Sequence, residues 1–199
     1  MRGAFIVLEG VDRSGKSTQA RNLLEKLPNS VLHAFPNRES PTGQIIDNYL
    51  RSGIELDDHA IHLLFTANRW EFSSKIKSAV YSGTNVVCDR YSFSGVVYSA
   101  AKGLDLHWCK TSETGLPCPD LVLYFKVDPE KVRLRANYGE ERYEKVEFQA
   151  RIAEKYKELF ESLPYVKEID ANQDINVVSD QVFDAVESLR LGEKLSTLW

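Results

Sequence analysis

The sequence predicts an α/β fold in which a five-stranded parallel sheet is wrapped by helices on both faces. Short continuous apolar runs recur along the chain, and segments of helical periodicity lie between them. The first of these runs leads directly into a glycine-bounded loop and then a helix. Runs that are apolar throughout suit strands covered on both faces, which is how parallel sheets are built.

Taken in order, the first strand is Ala4 to Glu9, carried by Ala4-Phe5-Ile6-Val7-Leu8. Gly10-Val11-Asp12-Arg13-Ser14-Gly15-Lys16-Ser17 follows and fits the pattern G-x-x-x-x-G-K-[ST]. Ser17 to Leu27 then reads as a helix. Two glycines let the backbone curl so that successive N–H groups and the helix N-terminus point at one anionic group. Lys16 is expected to reach the β- and γ-phosphates of a nucleotide, and the Ser17 hydroxyl to ligate Mg²⁺. Further strands are expected at Val31 to Phe35, Val86 to Asp89, Leu121 to Val127 and Tyr165 to Asp170. Ile152, Tyr156, Leu159, Phe160 and Leu163 recur at helical spacing, as do Ile175, Val178, Val182, Ala185 and Leu189, so both sets read as helices lying on the sheet. No repeat or linker divides the chain, which reads as one domain over 1–199. Its polar interruption at about 133–144 is either a mobile lid or a solvated loop.

With 199 residues, 43% of them hydrophobic and 27% charged, the chain has enough apolar material for one substantial core. The net charge of -4 argues against a surface that coats nucleic acid, although a nucleotide pocket needs only a few local cations. Met-Arg-Gly opens an apolar run too short for a signal peptide, since it meets Glu9 at once, and no stretch reaches transmembrane length. Cys88, Cys109 and Cys118 lack paired spacing, so a reducing compartment, cytoplasmic or also nuclear, is expected. Cys88 reads as a buried small hydrophobe. His59 and His62 lack a third partner for a metal.

In open α/β sheets ligands bind at the carboxyl ends of the strands. Asp12 and Arg13 follow the first strand, Phe35-Pro36-Asn37-Arg38 the second, and Asp89-Arg90-Tyr91 the third. Two cations beside a phosphate loop suggest a second bound anion. Asp89 is either a carboxylate for the Mg²⁺ shell or a turn-initiating residue. A GTPase would need Asn-Lys-x-Asp, which is absent. The inventory therefore favours phosphoryl transfer between two bound nucleotides. Phe65 taken alone reads as packing, but Arg69 shares its helix face, so ring and guanidinium could meet one base.

Gly10 to Thr18, Phe35-Pro36-Asn37-Arg38, Leu63-Leu64-Phe65-Thr66-Ala67-Asn68-Arg69-Trp70, Asp89-Arg90-Tyr91-Ser92-Phe93-Ser94-Gly95, Gly115-Leu116-Pro117-Cys118-Pro119-Asp120 and Glu141-Arg142-Tyr143-Glu144 together resemble thymidylate kinases of the eukaryotic and poxviral type. These are P-loop enzymes of the nucleoside monophosphate kinase kind. The resemblance runs in order through nearly the whole chain. It implies Mg²⁺-dependent transfer of the ATP γ-phosphoryl group to dTMP, giving dTDP and ADP for dTTP synthesis, by a homodimer without nucleic-acid or membrane partners. It implies that ATP meets Gly10, Arg13, Ser14, Gly15, Lys16, Ser17 and Thr18, with Arg135 near the adenine. It also implies that dTMP meets Asp12, Phe35, Arg38, Phe65, Arg69, Arg90, Ser94, Gly95, Tyr98, Tyr143 and Gln149. Phe65 would stack on thymine, Arg69 would bond its exocyclic oxygen, Asp12 would accept from the 3′-hydroxyl, and Tyr143 would fill the 2′ position. Lys16, Arg13, Asp12, Asp89 and Arg90 carry the catalytic roles, and Ser17 with Asp89 the metal. The catalytic arginine is expected to be Arg13 in the loop, with Arg135 and Arg142 of the lid as the other candidates. Cys118 and Asn37 depart from the commoner lysine and glutamate. Asn37 keeps open a broader deoxynucleoside monophosphate kinase that also accepts dUMP or dGMP.

Overall fold

The computed structural model describes residues 2–128, 132, 142, 143 and 145–199. The strands are β1 (Phe5–Gly10), β2 (Ser30–Ala34), β3 (Asn85–Asp89), β4 (Leu121–Lys126) and β5 (Val166–Asp170). The helices are α1 (Lys16–Lys26), α2 (Pro41–Leu50), α3 (Asp58–Tyr81), α4 (Ser92–Ala101), α5 (Leu106–Thr111), α6 (Val146–Phe160) and α7 (Ile175–Glu187). All pairings between these five strands are parallel, and the strand order is β2-β3-β1-β4-β5. The most apolar strand, β1, is therefore central and wholly buried.

Side chains of a strand alternate between faces, so one apolar run feeds two cores. Phe5 and Val7 join Val86, Cys88, Val122 and Tyr124 on one face, under α3, α4 and α6. Ile6 and Leu8 join Val87, Leu123 and Phe125 on the other, under α1 and α7. The edge strand β2 leaves Val31 and Leu32 each 38% exposed. On α6 the stripe Phe148, Ile152, Tyr156, Leu159 and Phe160 is buried, and on α7 the stripe is Val178, Val182 and Ala185. Helix entries are capped by the side chains of Ser40, Asp57, Asp105 and Asp174.

The five expected strands and the first helix lie where the sequence placed them, with ends differing by at most about a residue, and the two expected stripes fall on α6 and α7, although Leu163 and Leu189 lie beyond the ends of those helices at Phe160 and Glu187. Cys88 is fully buried, and all three cysteines are free. His62 is a core residue, its Nδ1 2.8 Å from Ser99 Oγ and its Nε2 2.9 Å from Ser112 Oγ, and burial lowers its pKa. Among the described residues no group of three His, Cys, Asp or Glu could hold a metal, and no helix is long and apolar enough to cross a membrane. Of the expected lid at about 133–144, only Arg142 and Tyr143 fall within the described residues.

Candidate active site

A cleft of about 560 Å³ opens at the carboxyl ends of β1, β2 and β3. The β1–α1 loop lines it with Asp12 to Thr18, the end of β2 with Ala34, Phe35, Pro36 and Arg38, and α3 with Phe65 and Arg69. The β3–α4 junction contributes Asp89, Arg90, Tyr91, Ser94, Gly95 and Tyr98, and Leu50 and Tyr143 complete the wall. Gly10 and Gln149, both expected in the site, are outside this lining but bond residues within it, Gly10 accepting from Arg90 and Gln149 donating to Asp12. Arg135 lies outside the described residues.

Gly10 has φ +150°, and a Cβ there would sit 2.8 Å from the Phe125 carbonyl oxygen, so only glycine fits at the start of the loop. Gly15, at φ +97°, precedes α1 without a side-chain cap. The first amides of α1 thus keep the anion-binding character of a helix N-terminus. Lys16 is buried and its Nζ donates to the Val11 carbonyl at 2.6 Å and to Ser14 Oγ at 3.0 Å. Burial, helped by the Arg90 charge, pushes its ammonium down to about 7. The Ser17 hydroxyl hydrogen-bonds Asp89 Oδ2, which brings the two expected metal ligands together.

Arg90 stands between this loop and the rest of the cleft. Its Nη1 donates to the Gly10 carbonyl at 3.0 Å and to Ser94 Oγ at 3.1 Å, and its Nη2 pairs with Asp12 Oδ1. The Tyr98 ring lies 5.3 Å from its guanidinium carbon. Asp12 is held a second time by Gln149, whose Nε2 donates to Oδ2 at 2.7 Å while its Oε1 accepts the Asp12 amide at 2.9 Å. Arg38 lines the same cleft and donates to Asp47 Oδ1 at 2.6 Å. Phe65 is half-buried, whereas Arg69 is only 2% exposed. Tyr143 stacks on Phe148 at 5.3 Å, meets Tyr98 edge-on at 5.5 Å, and donates to the Tyr49 hydroxyl at 3.4 Å.

The geometry can be set beside known proteins. The thymidylate kinase family profile matches residues 8–182. The chain belongs to the thymidylate kinase family. A thymidylate kinase of Arabidopsis thaliana is 48% identical over 100% of this chain and 78% of its own length. That of Schizosaccharomyces pombe is 43% identical over 99% of this chain and 98% of its own. A solved thymidylate kinase of Candida albicans superposes with a TM-score of 0.94 at 35% identity, covering 100% of this chain and 99% of that one. Broad substrate specificity is ascribed to that Candida enzyme. The sheet and its helices are thus those of a P-loop nucleoside monophosphate kinase.

Two buried carboxylates of this family member escaped the sequence reading. Glu9, fully buried, accepts the Tyr91 and Ser94 amides at 2.9 and 3.1 Å, the Tyr156 hydroxyl at 2.8 Å and the Ser94 hydroxyl. Burial raises its pKa, and these donors together with the Arg90 charge pull the other way. Its signal was present, because a charge that ends an all-apolar strand has to be accounted for. Glu113, also fully buried, pairs with Arg69 and had no comparable signal. Arg142, considered as a lid arginine, is engaged elsewhere. It pairs with Glu55 at 2.6 Å, donates to the Tyr49 and Ile54 carbonyls, and lies 4.2 Å from the Tyr49 ring centre. Asn37 accepts the Glu39 and Ser40 amides through its side chain and so closes the turn that carries Arg38. Cys118 is buried where the chain meets the Ser196 carbonyl.

The Lys16 shift has a consequence for stability. In the unfolded chain the ammonium returns to its ordinary 10.5, so between about 7 and 10.5 the unfolded state binds the extra proton. The cost of burying the charge is full below about 7 and is relieved as pH rises. Without nucleotide, the melting temperature of Lys16→Met relative to wild type should therefore be highest near pH 6 and converge toward wild type by pH 9. Parallel pH profiles of the two proteins would show that the fold places no such cost on Lys16.

Proposed function

We propose that the chain transfers the γ-phosphoryl group of ATP to dTMP, giving ADP and dTDP. The observation that carries this is Arg90. It bonds the first glycine of the P-loop and the loop's own Asp12, so a cation suited to an acceptor phosphate is fastened to the donor loop. Phosphoryl transfer asks a protein mainly for such positioning and for neutralisation of charge. In this reading the α1 amides and Lys16 hold the donor phosphates, and Arg38 and Arg90 hold the acceptor phosphate. Phe65 stacks on the base and Arg69 donates to its exocyclic oxygen. Tyr143, held by Phe148 and Tyr49, fills the space of a ribose 2′-hydroxyl, and Asp12 accepts from the 3′-hydroxyl.

The hard oxygen donors Ser17 and Asp89, in contact at the mouth of the loop, suit Mg²⁺. Bound there, Mg²⁺ would neutralise charge on the donor phosphates. Ser17 and Asp89 are the residues that would hold it. A homodimer is supported by Leu63 and Trp70, seven residues apart on one face of α3 and 48% and 41% exposed. Three free thiols support a reducing compartment, cytoplasmic or also nuclear. Relatives named as thymidylate kinases favour dTMP over the broader deoxynucleotide reading.

Coupled ADP-release assays across the nucleoside monophosphates should place dTMP first in kcat/KM, with UMP and CMP poor. Comparable turnover of UMP would remove Tyr143 as the sugar gate, and dGMP turnover matching dTMP would restore the broader reading. Arg13, at φ +57° in the cleft wall beside Arg90, is in this reading the arginine that meets charge on the transferring group. An arginine acting in the transition state changes kcat far more than KM. Arg13→Gly should thus lower kcat by at least roughly 10²-fold, against the 10³–10⁵-fold of arginine fingers in related chemistry. A near-normal kcat in that variant would assign the role to another cation.

A further inference from the structure

We propose that Glu113 is the positioning residue that sets base specificity, by fixing the Arg69 guanidinium with one edge toward the acceptor base. The inference rests on the acceptor reading given above, and three elements build the arrangement. From α3, Arg69 lines the cleft yet is only 2% exposed. From the turn after α5, Glu113 Oε2 accepts Arg69 Nε at 2.8 Å and Oε1 pairs with Nη2. From α4, Gly95 packs directly on the guanidinium, where any side chain would collide with Nη2.

The carboxylate occupies one edge of the guanidinium fork in the paired geometry that arginine and carboxylate share. Among the described residues Arg69 Nη1 has no hydrogen-bond partner, which leaves it for the cleft. Glu113 is itself immobilised, since the Thr66 hydroxyl donates to Oε1 at 2.7 Å and the residue has no solvent exposure. Thr66 adjoins Phe65, so the ring and the guanidinium are referred to the same turn of α3. A guanidinium only donates, so the base edge it faces must accept. A pyrimidine carbonyl oxygen meets that demand and an exocyclic amine does not. A site whose buried donor is left unpaired rejects the wrong ligand strongly. Without Glu113 the guanidinium could turn away, and the demand for an acceptor would weaken.

The test measures kcat and KM for dTMP and dCMP in wild type, Glu113→Gln, Arg69→Ala and the double variant, with melting temperatures alongside. Glu113→Asp serves as a second variant should the glutamine protein prove too unstable to assay. Glu113→Gln should raise KM for dTMP about 10- to 100-fold, the worth of a hydrogen bond to a charged group. Its kcat should change far less, and its dTMP/dCMP ratio of kcat/KM should fall in parallel. Glu113→Asp, which keeps the charge, should lie between. In the Arg69→Ala background the glutamine change should leave the ratio untouched, because Glu113 acts through Arg69. A lower melting temperature with the wild-type KM and ratio would overturn the proposal in favour of a purely structural pair. A further loss of discrimination in the Arg69→Ala background would overturn it too. A wild-type chain inactive toward dTMP would instead overturn the acceptor reading, while an active wild type with a silent Glu113→Gln would overturn the positioning role alone.

Discussion

Glu9 is the penultimate residue of β1, directly before the first glycine of the P-loop, and its buried carboxylate is bonded by groups from α4 and α6 as well as from the β3–α4 junction. Desolvating a carboxylate is costly, and only a nearly complete set of donors makes such a position tolerable. The donors are the Tyr91 and Ser94 amides, the Ser94 hydroxyl and the Tyr156 hydroxyl. Satisfying one buried charge therefore fixes the entry of α4 and the face of α6 relative to the central strand.

The consequences run outward into the cleft. Ser94, bonded to Glu9, also accepts from Arg90, and Arg90 reaches the Gly10 carbonyl and Asp12. Asp12 in turn is held by Gln149 of α6. The loop and the arginine are thus referred to one strand through two separate chains of contacts. Groups that must stabilise charge without rearranging need this kind of support, because preorganised donors cost no reorganisation when the reaction occurs. The glycines of the loop set its curl, and the Glu9 network sets what the loop faces.

The sheet was legible in the sequence because every strand of its centre is apolar on both faces, which makes an unbroken run. Helices α6 and α7 were legible because each buries one stripe. Helix α4 offers no stripe, since nine of its ten residues are buried, and its periodicity is erased by the core around it. In the site, the P-loop residues and the Phe65–Arg69 pair were readable because their spacing is local. Glu113 lies 44 residues from Arg69, and Glu55 lies 87 from Arg142. Pairings at that distance leave no periodic trace, so the buried carboxylate behind Arg69 and the engagement of Arg142 on the α2–α3 connection emerged only from the fold.

The central claim is that one cleft holds two phosphate-bearing groups in line for direct transfer. The most direct measurement follows the label from γ-³²P-ATP in the presence of dTMP and Mg²⁺. Direct transfer predicts label in dTDP in a one-to-one ratio with ADP formed, with little inorganic phosphate. Label recovered as inorganic phosphate, with dTMP unchanged, would contradict the account and leave a nucleotide hydrolase on this fold.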